Sequence, residues 1–266
     1  MNVLTEIIER TVADLQTEKR RLTFDAVIES AEAESRRRPA ADVQAALRVG
    51  HLAVIAEVKR RSPSMGELAK IADPAALARQ YAAAGASMIS VLTEPHRFGG
   101  SLADLIAVRA AVETPILRKD FIVDEYQIAQ ARAAGADCVL LIAAALDDEA
   151  LARLLACARA WAMEPLVEVH DEGEAARAVA VGAHIIGVNA RNLSTLAVDT
   201  DTFARVVHHL PATCVRVAES GITSAGDAEA VAREGADVIL VGQALVQADD
   251  PQHLIEQFTS IDRRQI

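Results

Sequence analysis

Aromatic side chains are scarce in this chain: five Phe, two Tyr and one Trp among 266 residues. The apolar fraction is nonetheless 52%, so the core must be built from Ala, Val, Leu and Ile. No apolar run approaches the ~18–20 residues of a membrane-crossing helix. Positive charge is not in excess either, with 27 Lys+Arg against 38 Asp+Glu and a net charge of −11. With no basic block, neither nucleic acid nor membrane is expected as a partner. Local cations would still suffice for an acidic small molecule. The opening stretch, MNVLTEIIERTVADLQTEKRR, carries acids early and has no apolar segment of the signal-peptide kind. A cytoplasmic protein is therefore expected. Cysteine is sparse too, and Cys138, Cys157 and Cys214 read as reduced, buried, small hydrophobes. None has an adjacent His that would mark a nucleophile. G-x-G-x-x-G and Walker sequences are both missing, which argues against a dinucleotide or P-loop fold.

What is present is a repeat. YAAAGASMISVLTE, ARAAGADCVLLIAA, AVAVGAHIIGVNAR and AREGADVILVGQAL each join an Ala-rich helical tail, a Gly, a small residue and a short apolar run. Gly85, Gly135, Gly182 and Gly235 fit the left-handed position just past a helix end. The runs after them are continuous and β-branched, as parallel strands buried on both faces are. Residues 52–59, 115–120, 165–170 and 214–220 supply four more strands, and Asp73-Pro74, Asp147-Asp148 and Ser224 look like helix starts. Eight strand–helix units in about 215 residues predict an α/β fold, a closed (β/α)8 TIM barrel. An open doubly wound sheet is the alternative, but it normally has fewer units and a Gly-rich first turn. VLTEIIERTVADLQ, TFDAVIESAEAESR and DVQAALRV, before the first strand, read as helices. Residues 1–266 are thus expected to form one barrel domain, with residues 1–50 as an N-terminal helical extension covering part of the barrel mouth.

In such barrels the C-terminal strand ends carry function. Strand 1 ends with Glu57 and Lys59, strand 2 with Thr93-Glu94 and strand 3 with Arg118-Lys119-Asp120. Strand 4 ends apolar. Strand 5 offers Glu168 and His170, strand 6 Asn189 and Arg191, strand 7 Glu219-Ser220-Gly221 and strand 8 Gly242-Gln243. Side chains alternate along a strand, so Glu57 and Lys59 share a face roughly 6–7 Å apart while Val58 faces the helices. Buried charges are costly unless paired or acting on a ligand. Two lysines and several carboxylates aimed at one cavity look like acid–base machinery, the plainer reading being rim salt bridges. The small residues closing strands 7 and 8 suit a phosphate held by backbone N–H groups and a short helix start.

IAEVKRRSPSMG, SVLTEPHRFGGSL, PILRKDFIVDEYQI, LVEVHDEGEA, IIGVNARNL and AESGI together resemble the indole-3-glycerol-phosphate synthases of tryptophan biosynthesis, over about residues 52 to 245. The extension before strand 1 fits that family as well. The resemblance implies a carboxy-lyase acting on 1-(2-carboxyphenylamino)-1-deoxyribulose 5-phosphate. Ring closure, loss of carbon dioxide and loss of water give indole-3-glycerol phosphate, with neither redox cofactor nor metal. It makes Lys119 the general acid of ring closure and gives Lys59 the substrate carboxylate and a part in dehydration. Glu57 and Glu168 would orient the lysines or act as base. Ser62, Asn189, Arg191, Glu219 and Ser220 match substrate-contacting positions, and Phe98 and Phe121 match the aromatics around the anthranilate ring. Phosphate contacts would come from Lys59, Ser220, Gly221, Gly242 and Gln243. Gln243 departs from the Ser or Glu that the family often has there, which a backbone N–H contact would tolerate.

Two readings of other kinds stand beside it. A phosphoribosylanthranilate isomerase-like barrel would share strands 7 and 8 but would not need the lysines of strands 1 and 3 together. A non-catalytic scaffold would be expected to lose the charged mouth. The expected partner is a phosphorylated small molecule, with no fused second enzyme. A monomer is the working expectation for the oligomeric state, which nothing in the sequence sets.

Overall fold

The computed structural model describes residues 3–193 and 195–263. Eight parallel strands form a closed barrel: β1 (Ala53–Val58), β2 (Met88–Leu92), β3 (Ile116–Lys119), β4 (Cys138–Ile142), β5 (Glu164–Val169), β6 (Ile185–Asn189), β7 (Val215–Glu219) and β8 (Val238–Val241). Each strand pairs with its sequence neighbours, and β1 closes the ring by pairing with both β2 and β8. Three helices precede the barrel: α1 (Val3–Arg21), α2 (Phe24–Arg37) and α3 (Val43–Leu47). The outer layer is α4 (Pro74–Ala83), α5 (Leu102–Ala111), α6 (Glu125–Ala133), α7 (Asp148–Ala160), α8 (Glu172–Ala180), α9 (Thr202–Val207), α10 (Ala225–Arg233), α11 (Gln243–Gln247) and α12 (Pro251–Thr259).

The anticipated punctuation is in place. Asp73, Asp147 and Ser224 cap α4, α7 and α10, each accepting a backbone N–H from the first turn. Gly85, Gly135, Gly182 and Gly235 all have positive φ, the left-handed conformation that ends a helix without steric cost. The expected strands run one residue too long at an end here and there, because the ladder stops where the chain leaves for its loop. Alternation then sorts the core. Ile55, Met88, Leu117, Leu140, Leu166, Ile185, Val217 and Leu240 fill the barrel interior. Val54, Ile89, Val139, Val167, Ile186 and Ile239 face the helices.

The barrel floor is sealed by two aspartates of the repeated Gly-Ala-Asp. Asp137 accepts from the Ile116 N–H, the Ala41 N–H and Arg109 Nη1, all at 2.9 Å. Asp237 accepts from the Arg216 N–H at 2.8 Å and pairs with Arg263 at 3.2 Å. The extension is docked by α2 on α6. Val27 and Ala31 are buried there, and the wholly buried Arg132 donates to Ser35 Oγ (3.1 Å), the Ala136 carbonyl (2.9 Å) and the Arg38 carbonyl.

One expectation needs correcting. Cys138 and Cys214 are buried, but Cys157 is only half-buried, lying on α7 beside rather than on the face formed by Leu151, Leu154, Leu155 and Ala158. All three thiols are free, and burial pushes each above the ordinary thiol range.

Candidate active site

A cavity of about 290 Å³ opens at the C-terminal ends of the strands. It is lined by Glu57, Lys59, Phe98, Lys119, Phe121, Glu168, Asn189, Arg191, Glu219, Ser220, Gly221, Gly242 and Gln243. These are all but one of the residues to which the resemblance gives a role. Ser62 is the exception. It sits in a short antiparallel hairpin, Arg61–Ser62 against Gly66–Glu67, where its hydroxyl accepts the Met65 N–H at 3.2 Å. Pro63 reaches the cavity from that loop instead.

The opening charge pair on β1 is an ion pair, with Lys59 Nζ 3.1 Å from Glu57 Oε1. Ser90 Oγ, directly across on β2, donates to Glu57 Oε2 at 3.2 Å. Lys119 Nζ lies between carboxylates of two other strands, 2.9 Å from Glu168 Oε2 and 3.4 Å from Glu219 Oε2. Glu57, Glu168 and Glu219 are all buried. Burial disfavours the Lys119 ammonium, but Glu168, Glu219 and Glu57 outweigh it and hold its pKa above the ordinary value. The two glutamates split in opposite directions. Burial pushes the Glu219 carboxyl up, and Glu168 and Glu57 add to that rise against the pull of Lys119. Burial would raise Glu168 too, but Lys119 and His170 overcome it and keep this group ionised. Like charges this close cannot both ionise freely, so of the two it is Glu219 whose protonated form is favoured.

Asn189 ties the far side together. Its Nδ2 donates to Glu168 Oε1 at 3.1 Å, and its Oδ1 accepts from Ser220 Oγ (2.8 Å) and the Arg191 N–H (3.0 Å). The Arg191 guanidinium donates to the Leu196 carbonyl (3.0 Å) and Ser64 Oγ (3.2 Å), spanning the loops after β6 and β1. Ser220 and Gly221 both have positive φ, so the chain turns sharply at the end of β7.

The polar end of β2 does something other than point into the mouth. Thr93 Oγ1 donates to Asp120 and accepts from Arg118 Nε at 3.1 Å. Glu94 accepts the N–H groups of His96 (2.9 Å), Arg97 (2.6 Å) and Phe98 (2.9 Å). That carboxylate shapes the loop that presents Phe98. The Phe98 ring stands 6.1 Å from Phe121 and 6.0 Å from Lys59 Nζ. The same loop grips α1 through His96 on Asp14 (2.6 Å) and Arg97 on Glu6 (2.8 Å). In consequence Val3, Leu4 and Ile7 of α1 line the cavity, as expected of the extension.

Sequence reasoning passed over Gly187, and it gave Gly242 a phosphate contact without the room that it leaves for a neighbouring side chain. Gly187 on β6 faces the interior, where a Cβ would lie 2.1 Å from Glu219 Oε1. Gly242 likewise leaves room for Glu57, since a Cβ there would come 2.5 Å from Glu57 Oε1. Gly187 could have been noticed as a small residue in an otherwise bulky strand. Among the described residues, no group of three or more His, Cys, Asp or Glu side chains has the arrangement of a metal site.

A family model described as indole-3-glycerol phosphate synthase matches residues 4–258. The chain is 55% identical over 260 residues to indole-3-glycerol phosphate synthase 1 of Streptomyces coelicolor, covering 98% of this chain and 96% of that protein. It is 55% identical over 262 residues to the indole-3-glycerol phosphate synthase of a Nocardioides species, covering 98% and 100%. Among solved structures, 3-hexulose-6-phosphate synthase from Salmonella typhimurium is similar with a TM-score of 0.60 at 16% identity, over 79% of this chain and 97% of that one. Thiamine phosphate pyrophosphorylase from Pyrococcus furiosus gives 0.59 at 18% identity, over 80% and 96%. At such identities these two likenesses speak for the fold alone.

Proposed function

The chain belongs to the indole-3-glycerol phosphate synthase family, and from that premise we propose how the residues of its barrel mouth divide the work. The enzyme is a carboxy-lyase of tryptophan biosynthesis whose substrate is a phosphorylated small molecule. The carboxylated ring carbon of the substrate attacks the ketone, carbon dioxide leaves, and loss of the new hydroxyl with a proton completes the indole.

Lys119 donates the proton that the ketone oxygen needs as charge develops on it. Glu168, kept ionised, is the base that takes the proton lost during dehydration. Glu219, protonated, holds Lys119 in place and returns a proton to it. Lys59, oriented by Glu57, binds the substrate carboxylate until it departs and then assists the leaving hydroxyl. Phe98 and Phe121 flank the anthranilate ring. Asn189 and Arg191 position the sugar portion, and Ser62 acts through the turn that carries Pro63. The phosphate is held by Lys59, Ser220, Gly221, Gly242 and Gln243, where two loops and the start of α11 meet. The observation that carries this reading is the Lys119 ammonium held 2.9 Å from Glu168 and 3.4 Å from Glu219, beside a second lysine–glutamate pair. A phosphoribosylanthranilate isomerase has no use for that second lysine, and a scaffold has no use for either.

The direct test is an assay of purified protein with chelator and no added cofactor. Conversion of the carboxyphenylamino-deoxyribulose phosphate to a fluorescent indole is expected, with one carbon dioxide per indole and no turnover of phosphoribosyl anthranilate. Folded protein that made no indole would defeat the reading, and turnover of phosphoribosyl anthranilate would favour the isomerase.

The described residues are proposed to act as one domain, as a monomer in the cytoplasm, without nucleic-acid or membrane partners. No helix among them is long and apolar enough to cross a membrane. Sedimentation at working concentration checks the monomer. The extension is proposed to close over the bound ring. Removing residues 1–22 takes away Leu4 and Ile7, an apolar contact of about 1.4 kcal/mol or more. KM should then rise roughly tenfold. An unchanged KM would make α1 a passive appendage.

A further inference from the structure

His170 lies just beyond β5 and is only slightly exposed. Its Nδ1 is 3.0 Å from Glu174 Oε2 on α8, and the same oxygen accepts the His170 backbone N–H at 2.8 Å. On the other side of the ring, Nε2 lies 3.3 Å from Glu168 Oε1. Nε2 is shielded from solvent and has no aligned hydrogen-bond partner, so the contact with Glu168 is an ion-pair distance rather than a directed bond. A neutral imidazole can donate from only one nitrogen, and here both face carboxylates. The charged groups around it are few. Glu174 stands on α8, where Arg177 is engaged with Asp148 and the carbonyls of Ala143 and Leu146. Glu168 is shared with Lys119 of β3 and Asn189 of β6, with Glu219 of β7 beyond Lys119 and the Glu57–Lys59 pair across the mouth. Three carboxyl groups, with the protonated form favoured on Glu219, therefore share two ammonium groups, and the substrate adds a carboxylate and a phosphate. Another cation beside Glu168 is what that balance lacks.

We propose that His170 is a positioning residue for the reaction: as an imidazolium bridging Glu174 and Glu168, it holds Glu168 as a carboxylate against Lys119 and leaves the proton of the buried carboxylates on Glu219. The proposal rests on the roles given above to Lys119 and Glu168. Burial alone would lower the His170 pKa, but Glu168 and Glu174 overcome it and raise it to about 10. The bridge is local: neither His170 nor Glu174 lines the cavity, and His170 meets its lining at Glu168.

Two measurements test it. Ring nitrogen chemical shifts of His170 at pH ~8, above the ordinary imidazole value of ~6.5, should show both nitrogens protonated. His170→Gln removes the charge, so Glu168 binds its proton more tightly and the base form is lost sooner as pH falls. The acidic limb of the kcat profile should then move to higher pH by about 1–3 units, as expected on removing a close opposite charge. KM should change less than kcat, and Glu174→Gln should move the limb in the same direction. A neutral ring at pH ~8 would overturn the proposal, as would an unmoved acidic limb in folded His170→Gln. Should His170→Gln fail to fold, the limb of Glu174→Gln decides. The ring shifts are read without turnover, so failure of the Lys119 and Glu168 roles stays distinguishable from failure of the bridge.

Discussion

Replacing Lys119 by Met is expected to lower kcat by ~10²–10⁴-fold, the range for removing a positioned proton donor. Met keeps the length and apolar stem of the side chain while losing the ammonium, so packing near Leu117 and Leu140 in the barrel is retained. Removing a cation from between two buried carboxylates would normally be severe, because an unpaired buried charge is costly. Two features soften it here. Glu168 keeps Asn189 and His170 as partners. Glu219, already pushed up to about 8, responds by holding its proton more firmly rather than by breaking the fold. The melting temperature should therefore fall much less than activity does. KM should also change less than kcat, since the phosphate, the ring and the carboxylate are bound by other groups. Steady-state turnover with circular dichroism on the same sample separates the two effects. Near-normal turnover in a folded Lys119→Met protein would remove Lys119 from the acid role.

The residues that were legible in the sequence are those governed by alternation along one strand. Glu57 and Lys59 had to share a face, and Lys119 and Glu168 had to point inward from strands that end at the mouth. The helix caps and the Gly after each helix were legible for a similar reason, since each is a local steric or hydrogen-bonding requirement. What depends on register between strands was not. That Glu219 shares Lys119 with Glu168 follows from β7 lying beside β6 with Asn189 opposite Glu219, a pairing with no trace in either strand alone. Loop geometry was equally hidden. Thr93 and Glu94 looked like one more charged strand end, whereas Glu94 folds back onto three N–H groups of its own loop. Ser62 stands close to the charged end of β1, but a short hairpin turns its hydroxyl onto the Met65 N–H. His170 was visible as a polar end, but its partner Glu174 lies in the first turn of α8, where an acid would ordinarily be read as a dipole partner.

Gly187→Ala is expected to lower kcat strongly without replacing any charged group. Gly187 pairs in register with Glu168 on β5 and Val217 on β7, and its missing side chain would point into the barrel. An added Cβ would fall 2.1 Å from Glu219 Oε1 and 3.2 Å from Leu166 Cδ1. Nothing in the backbone opposes Ala there, since Gly187 is not among the glycines with positive φ. The strain goes instead to the free end of Glu219, whose Oε1 is buried with no hydrogen-bond partner to resist displacement. The barrel should survive, because a side-chain end gives way more easily than a strand. The carboxyl, however, must leave Lys119, now 3.4 Å away, and with it goes the group that carries the proton. A misplacement of about 1 Å at a reacting centre can cost on the order of 10²-fold, and a loss of about that size in kcat is expected. The basic limb of the pH profile, where Glu219 loses its proton near pH 8, should be displaced as well. Glu219→Gln provides the comparison, because it keeps the shape and removes the titration. If Gly187→Ala turned over like the parent protein with an unaltered basic limb, Glu219 would have no required position, and the proton on it would have no part in the chemistry.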